Sequence, residues 1–548
     1  MTKRFMKSSL TLLVLIFYSW LTCPGQSVFQ TVAEKSVFTS TARYADVMAF
    51  IGQLKKSSPY IRIENIATST DGMGIPLLVI GNPLPKSSKD LKNDKRIVVY
   101  IQANIHAGEV EGKEAVLMYA RDLLKEKDPD VLRNIVLLIC PNFNPDGNEK
   151  IDIRNRTYQN GPANGVGVRH NGQILDLNRD AMKAESPEVR GVLENVFNKW
   201  DPSVFMDCHT TDGSYHVEPV TFTWMVNPNG DNSLISYMSD RMIPEMSKTL
   251  FDKYKVENCF YGEFFDMADP GKGWVFDAAE PRYMTNYAGL RNRLSILNEN
   301  YVYADYKSRV MGCYYLINSL TEYSSMHATE IKSLLAGVDK KTVARGMNPA
   351  EADSFAIEYK VRPMPDKVTI KTYEADVVTG DNGRRSFKRS DRRADVTIPY
   401  FIDYYPVRSV KFPYAYLLTT NDQAITSLLK AHGIKVEKLA AATTIEVLRF
   451  DISELKGAAR LNQGHYMNSV KGKYLSEKKE FPAGTLVIRT SQPLANVAAT
   501  LLEPQSNDGL LIWNFLDRSL VPQWGPGFNP CPVYKITEPA DLMTGPAF

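Results

Sequence analysis

The chain has 548 residues, 44% of them hydrophobic and 23% charged, which excludes a disordered, collagenous or coiled-coil polypeptide and leaves room for more than one domain. Its formal charge of +3 is supplied by Lys3, Arg4 and Lys7, because residues 1–25 contain no acid. The remainder is near neutral, which argues against a nucleic-acid partner or an anionic membrane surface.

In chain order, the opening MTKRFMKSSLTLLVLIFYSWLTCPGQS has a basic start, an apolar core from about Leu10 to Leu21, and then small or turn-forming residues. This predicts a secretory signal peptide over 1–25 rather than a membrane span, since the apolar core is too short. Cys23 follows Trp20-Leu21-Thr22, a poor lipobox. The mature chain is therefore expected to start near Gln26 after cleavage at Gly25, exported and soluble, periplasmic or extracellular. Cys140, Cys208, Cys259, Cys313 and Cys531 are widely spaced and form no CxxC, so neither a disulfide framework nor a thiolate metal site is expected.

From about residue 60 to 330, strand-like and helix-like segments alternate. IRIENIATS, PLLVIGN, RIVVYIQANI, NIVLLICPNF, SVFMDCHT and LSILNENYVY read as strands. Between them GKEAVLMYARDLLKE, SPEVRGVLENVFNKW and NSLISYMSDRMIPEMSKTLFDKY carry apolar residues at helical spacing. Near-continuous apolar strands separated by helices predict a mostly parallel or mixed sheet covered on both faces. After about 335 the texture changes to shorter strands (KVTIKTYEADVV, DVTIPYFIDYY, PYAYLLTT, TIEVLRFDI, GTLVIRTS) with one evident helix, DQAITSLLKAHG. A second, β-rich domain of unknown role is expected over 340–548. The basic run GRRSFKRSDRR at 383–393, which contains Asp391 and lies between Asp381 and Asp395, reads as a solvated loop.

Ligands in such sheets bind at the carboxyl ends of the strands, and His106, Asn144 and His209 each sit just past a predicted strand. A catalytic zinc takes about three protein ligands and leaves a position for water. His106 and Glu109, three apart in the turn after RIVVYIQANI, supply two ligands, and His209 in FMDCHTTDG is the best third of only seven histidines. An HxxE alone is cheap by chance and by itself reads better as a surface turn than as a metal site.

The series HAGE (106–109), NPDG (144–147), DLNRD (176–180), DCHTTDG (207–213) and LSILNENY (294–301) resembles the M14 zinc carboxypeptidase family, in a secreted bacterial form with an extra C-terminal domain. The likeness covers about residues 40–330 and makes 26–335 the catalytic domain. It implies an α/β fold around a mixed eight-stranded sheet with helices on both faces. It also implies one Zn2+ per chain on His106, Glu109 and His209, with Asp176 orienting the first ligand. Asn178 and Arg179 match the pair that grips a substrate's terminal carboxylate, for which an arginine fork is suited. Glu299, a carboxylate embedded in an apolar strand where it is costly unless paired or functional, matches the general base; Glu185 and Glu218 are weaker competitors. The oxyanion arginine falls among Arg154, Arg156 and Arg169, with Arg156 preferred. The tyrosine over the substrate is assigned to Tyr287, with Tyr283 close behind.

These residues imply hydrolysis of C-terminal peptide bonds in a peptide substrate with a free C-terminus, by zinc-activated water with Glu299 as base. Two other readings stand beside it. One is a zinc amidase acting on cell-wall peptides or acylated amino acids; the other is a non-catalytic binding protein with a degenerate M14 domain, disfavoured because every expected ligand and catalytic position holds a competent residue. HExxH, GxSxG with a following acid and histidine, and nucleotide-binding fingerprints are absent as coherent units.

Overall fold

The apolar runs IVVYIQA and IVLLIC lie near the centre of an eight-stranded mixed sheet in the computed structural model, which describes residues 29–211, 213–267, 269–381 and 383–547. The expected leader, the cleavage point and Cys23 lie outside the described residues. The strands are β1 (Ile61–Thr68), β2 (Gly74–Ile80), β3 (Ile97–Ala103), β4 (Ile135–Cys140), β5 (Val204–Thr211), β6 (Val220–Trp224), β7 (Asn258–Phe260) and β8 (Leu294–Tyr301), in the order β1-β2-β4-β3-β5-β8-β6-β7. β4, β3, β5 and β8 run parallel, and β2 and β6 flank them antiparallel. Parallel strands need cover on both faces. Alternate residues of β3 provide it: Val99 and Ile101 pack into one core with Val116 and Leu316, while Val98 and Tyr100 pack into another with Val192 and Met284.

The helix after β3, α1 (Glu111–Lys125), departs from the amphipathic pattern read in its sequence, because Glu111, Lys113 and Glu114 are buried along with its apolar face. Each charge has partners, as burial requires. Glu114 accepts from the N–H groups of Ala33 and Ala42 and from Thr41 Oγ1. Lys113 Nζ donates to Ala42 O and Asn148 Oδ1, and Glu111 pairs with buried Arg309. The N-terminal arm is thereby tied to the helix that carries the HAGE turn. Helices α2 (Met284–Leu290) and α3 (Tyr306–Met326) flank β8 in sequence, and α4 (Ala328–Met347) runs straight through the expected 335–340 boundary.

Beyond it, β9 (Ser354–Ile370) and β12 (Val396–Lys411) form a long hairpin extended by the pair β10 (Tyr373–Thr379) and β11 (Arg385–Arg393). Most of the basic run read as a solvated loop is thus a strand. It is held by cross-strand contacts: Arg389 and Arg393 lie 4.7 and 4.8 Å from the Tyr373 ring centre, and Arg392 pairs with Asp376 at 2.9 Å and with Glu374. β12 also pairs with Trp274–Val275 of the first half. A seven-stranded sheet follows, whose outer pair is Thr443–Gly457 and Asn468–Phe481, with helix α5 (Gln423–Ala431). The C-terminal region is β-rich, and one core runs across both regions, joining Tyr100 and Phe205 to Tyr416, Leu428 and Ile488. All five described cysteines are buried free thiols, and among the described residues no helix is long and apolar enough to cross a membrane.

Candidate active site

Three parallel strands end at one cleft, as the topology requires. Beyond β3 the chain turns at Asn104, whose φ is +66°, and the Glu109 N–H donates to His106 O at 2.9 Å to close the HAGE turn. A Cβ at Gly108 would lie 2.5 Å from Arg156 Cδ, so the glycine lets that arginine approach. His209 and Glu299 are register partners on adjacent strands β5 and β8 and therefore project to the same side. The cleft has a volume of about 630 Å³, and His106, Glu109, His209, Asn178, Arg179, Arg156 and Glu299 all line it.

His106 Nδ1 and His209 Nδ1 lie 3.2 Å apart, and Glu109 is 3.1 Å from each, through Oε1 to His106 and Oε2 to His209. A tetrahedral zinc with bonds of about 2.0–2.1 Å spaces its donors by about 3.3 Å. The far ring nitrogens face carboxylates: His106 Nε2 meets Asp176 Oδ1 at 2.9 Å, and His209 Nε2 is 3.2 Å from Asp207 Oδ2. The Asp176 bond places a proton on His106 Nε2 and leaves its Nδ1 lone pair facing the Glu109 carboxylate, toward which His209 also turns its Nδ1. Three buried electron-rich donors facing one another call for a cation between them, so the set fits zinc. Burial opposes charge on Glu109 and Asp176, yet His106 and the neighbouring arginines hold both well below the usual carboxylate range. Burial, reinforced by Glu109 and opposed by His209, Arg169 and Arg156, pushes the Glu299 carboxyl up to about 8.

The DLNR turn carries the second half of the site. Asp176 Oδ1 also accepts from the Asn178 N–H at 2.9 Å, and Oδ2 accepts from Arg169 Nε at 2.8 Å. Asn178 Oδ1 accepts from Met284 N at 3.0 Å, which fixes the turn to the start of α2. The Arg179 guanidinium sits 4.5 Å from the Tyr283 ring centre. Of the three candidate arginines, Arg154 pairs with Asp152 and is 85% exposed. Arg156 reaches Glu109 Oε1 at 3.0 Å and Thr210 O at 3.1 Å, from a left-handed backbone with φ +49°. Arg169 approaches Glu109 at 3.5 Å.

Tyr287 is not brought to the cleft. It is fully buried, its hydroxyl 2.9 Å from His432 Nδ1 and 3.0 Å from Arg291 Nη1, while Tyr283 lines the cleft instead. The reason is position on the helix: Tyr283 is the N-cap of α2, and Tyr287 lies a turn further in, on the face packed against Phe197. Glu185 and Glu218 do not line the cleft either. Glu218 belongs to a second buried group with His216 and Cys259, away from the cleft, and its carboxylate accepts from the backbone N–H groups of Val217 and Lys371. Sequence reading missed Asp207, although residues two apart on a strand share a face and the DCH spacing carried that information. It also missed Gln463, whose Oε1 accepts from Asp176 N at 2.7 Å; nothing in the local sequence marks that residue.

Residues 47–218 match the family model described as zinc carboxypeptidase. Carboxypeptidase 2 of Trichophyton rubrum is 21% identical over 477 residues, 84% of this chain and 81% of its own length. Carboxypeptidase D of Homo sapiens is 30% identical over 168 residues, 29% of this chain and 11% of its own. Among solved structures, the metallo-carboxypeptidase from Burkholderia cenocepacia aligns at 18% identity and a TM-score of 0.36, covering 52% of this chain and 69% of its own. Carboxypeptidase A from Helicoverpa armigera aligns at 17% and 0.39, covering 54% and 75%.

Proposed function

We propose that the chain, whose residues 47–218 match the zinc carboxypeptidase family model, is an exported zinc metallocarboxypeptidase that removes residues from the free C-termini of peptides, with Glu299 as general base. The observation that carries this reading is the union, in one cleft, of the His106–Glu109–His209 donor set with Glu299 and the Asn178–Arg179 pair. Held by His106, Glu109 and His209, zinc would supply a bound water that is acidic near neutral pH and Lewis acidity toward a carbonyl.

The chain's own groups do the rest. Arg179, braced on the Tyr283 ring, and Asn178 take the terminal carboxylate and set which peptide bond reaches the metal. Glu299 takes the proton of the attacking water at its carboxylate and returns it to the leaving amine nitrogen; burial, which raises its affinity for a proton, favours that uptake. Arg156, held at the cleft by Glu109 and Thr210 O, offers positive charge to the developing oxyanion, and Arg169 lies beside it.

The test compares wild type with Glu299→Gln for bound zinc and for trimming of a mixed peptide library followed by mass spectrometry. Both proteins should retain about one zinc while only the wild type shortens peptides from the C-terminus, with a loss in the variant of at least about 10²-fold. Zinc with no trimming of any free C-terminus would redirect the assignment to cell-wall peptides or acylated amino acids. A protein that holds no zinc would overturn the site.

A further inference from the structure

The clamp for the substrate carboxylate is built from two segments, 176–185 and 282–284, and both are backed by the C-terminal region. On the first, Gln463 Oε1 accepts from Asp176 N at 2.7 Å, and His465 Nε2 lies 2.9 Å from Glu185 Oε1. On the second, Asp508 Oδ2 accepts from Arg282 N at 2.8 Å, and Asp508 Oδ1 pairs with Arg282 Nε at 3.0 Å. Trp513 lies below both, 5.7 Å from Lys183 Nζ and 5.5 Å from the Arg282 guanidinium.

Gln463 occupies the tip of the outer hairpin of the seven-stranded sheet. The bonds Asn462 N to His465 O, 2.8 Å, and His465 N to Asn462 O, 3.0 Å, close a two-residue turn whose central residues, Gln463 and Gly464, have φ +52° and +82°. Positive φ at both positions is the type I′ arrangement, and a glutamine adopts it at a cost that its surroundings must offset. What it reaches is the backbone of the residue with the most jobs at the site. Asp176 receives His106 on one oxygen and Arg169 on the other, and it starts the turn that presents Asn178 and Arg179. Both oxygens aim from one Cα, so a bond that fixes the Asp176 peptide fixes the metal ligand and the clamp together.

We propose that the C-terminal region is a working part of this active site, with Gln463 as a positioning residue that acts through Asp176 on both metal retention and carboxylate binding. The proposal rests on the carboxypeptidase reading. Its test uses the full-length zinc-loaded protein with Gln463→Met, which keeps the volume and removes the acceptor, and Gln463→Glu, which keeps the acceptor.

Gln463→Met should melt with the wild type. Its kcat/KM on a peptide with a free C-terminus should fall about three- to tenfold, the equivalent of one neutral hydrogen bond, with the loss mainly in KM because the clamp binds the ground state. Its zinc should pass to excess chelator several-fold faster, and Gln463→Glu should restore both properties. The proposal is overturned if Gln463→Met equals the wild type in KM and zinc release, or if activity and melting temperature fall together without rescue by glutamate. Should the wild type itself trim nothing, the carboxypeptidase reading fails, and the zinc-release comparison still decides the role of Gln463.

Discussion

Replacing Tyr287 by phenylalanine removes one oxygen from the boundary between the two regions, and its cost follows from the partners left behind. His432 Nε2 lies 2.9 Å from Met182 O, a group that only accepts, so Nε2 carries the proton and Nδ1 accepts from the Tyr287 hydroxyl. Without that hydroxyl, Nδ1 of a fully buried imidazole has no donor. Arg291 Nη1 keeps its second acceptor, His432 O, at 3.0 Å, so the charged group is not stranded. The loss is one neutral hydrogen bond plus one desolvated acceptor, about 1–3 kcal/mol. Equilibrium urea unfolding should register that drop while kcat/KM stays unchanged. Tyr283→Ala should behave in the opposite way, raising KM with little effect on stability, because the ring it removes supports Arg179 at a contact worth about 0.5–2 kcal/mol. A tenfold activity loss in Tyr287→Phe at wild-type stability would refute the reasoning and return Tyr287 to the substrate.

Asp176→Asn should weaken zinc binding about 10- to 100-fold, since an amide that still accepts from His106 turns its NH2 toward the Arg169 Nε donor; competition against a chromophoric chelator measures this, and unchanged affinity would release Asp176 from the role. Gly108→Ala sets a methyl 2.5 Å from Arg156 Cδ and 3.1 Å from Gly167 O. It should lower kcat at least tenfold by displacing the arginine, with no further loss when added to Arg156→Ala; additive losses would count against that route. Burial, resisted by the bond to Met182, lowers the His432 pKa from 6.5 to about 3, so between those values the unfolded chain binds a proton that the folded one does not. Its contribution to stability is therefore complete above 6.5 and is lost as pH falls toward 3, with a slope of up to about 1.36 kcal/mol per pH unit. The slope of unfolding free energy against pH should be flatter by up to one proton in His432→Asn, and equal slopes would contradict the assignment.

Sequence carried the parts of the site that depend on strand ends. HAGE follows one apolar run, DCH closes another and Glu299 sits in a third, so alternation and topology were enough to bring them together. Four things were not legible for physical reasons. Tyr283 and Tyr287 differ only in which side of a short helix they occupy, and tertiary packing decides that. Helices α3 and α4 were not singled out, because α3 is buried on almost all sides and so lacks the single apolar stripe that periodicity detects. The strand at 385–393 is stabilised by charge pairs and arginine–tyrosine stacking rather than by apolar alternation. Contacts such as Asp176 with Gln463 are invisible to any local pattern.

Asp176 and Gln463 are 287 positions apart along the chain. At a synthesis rate of about 5–20 residues per second, roughly 15–60 s pass between the emergence of one and of the other. For that interval the nascent polypeptide already carries most of the proposed metal donors, but the DLNR turn lacks the hydrogen bond to Gln463. Under the proposed role of that turn, the order of translation acts as a delay, because the bond from Asp176 N to Gln463 Oε1 can form only after Gln463 has been made.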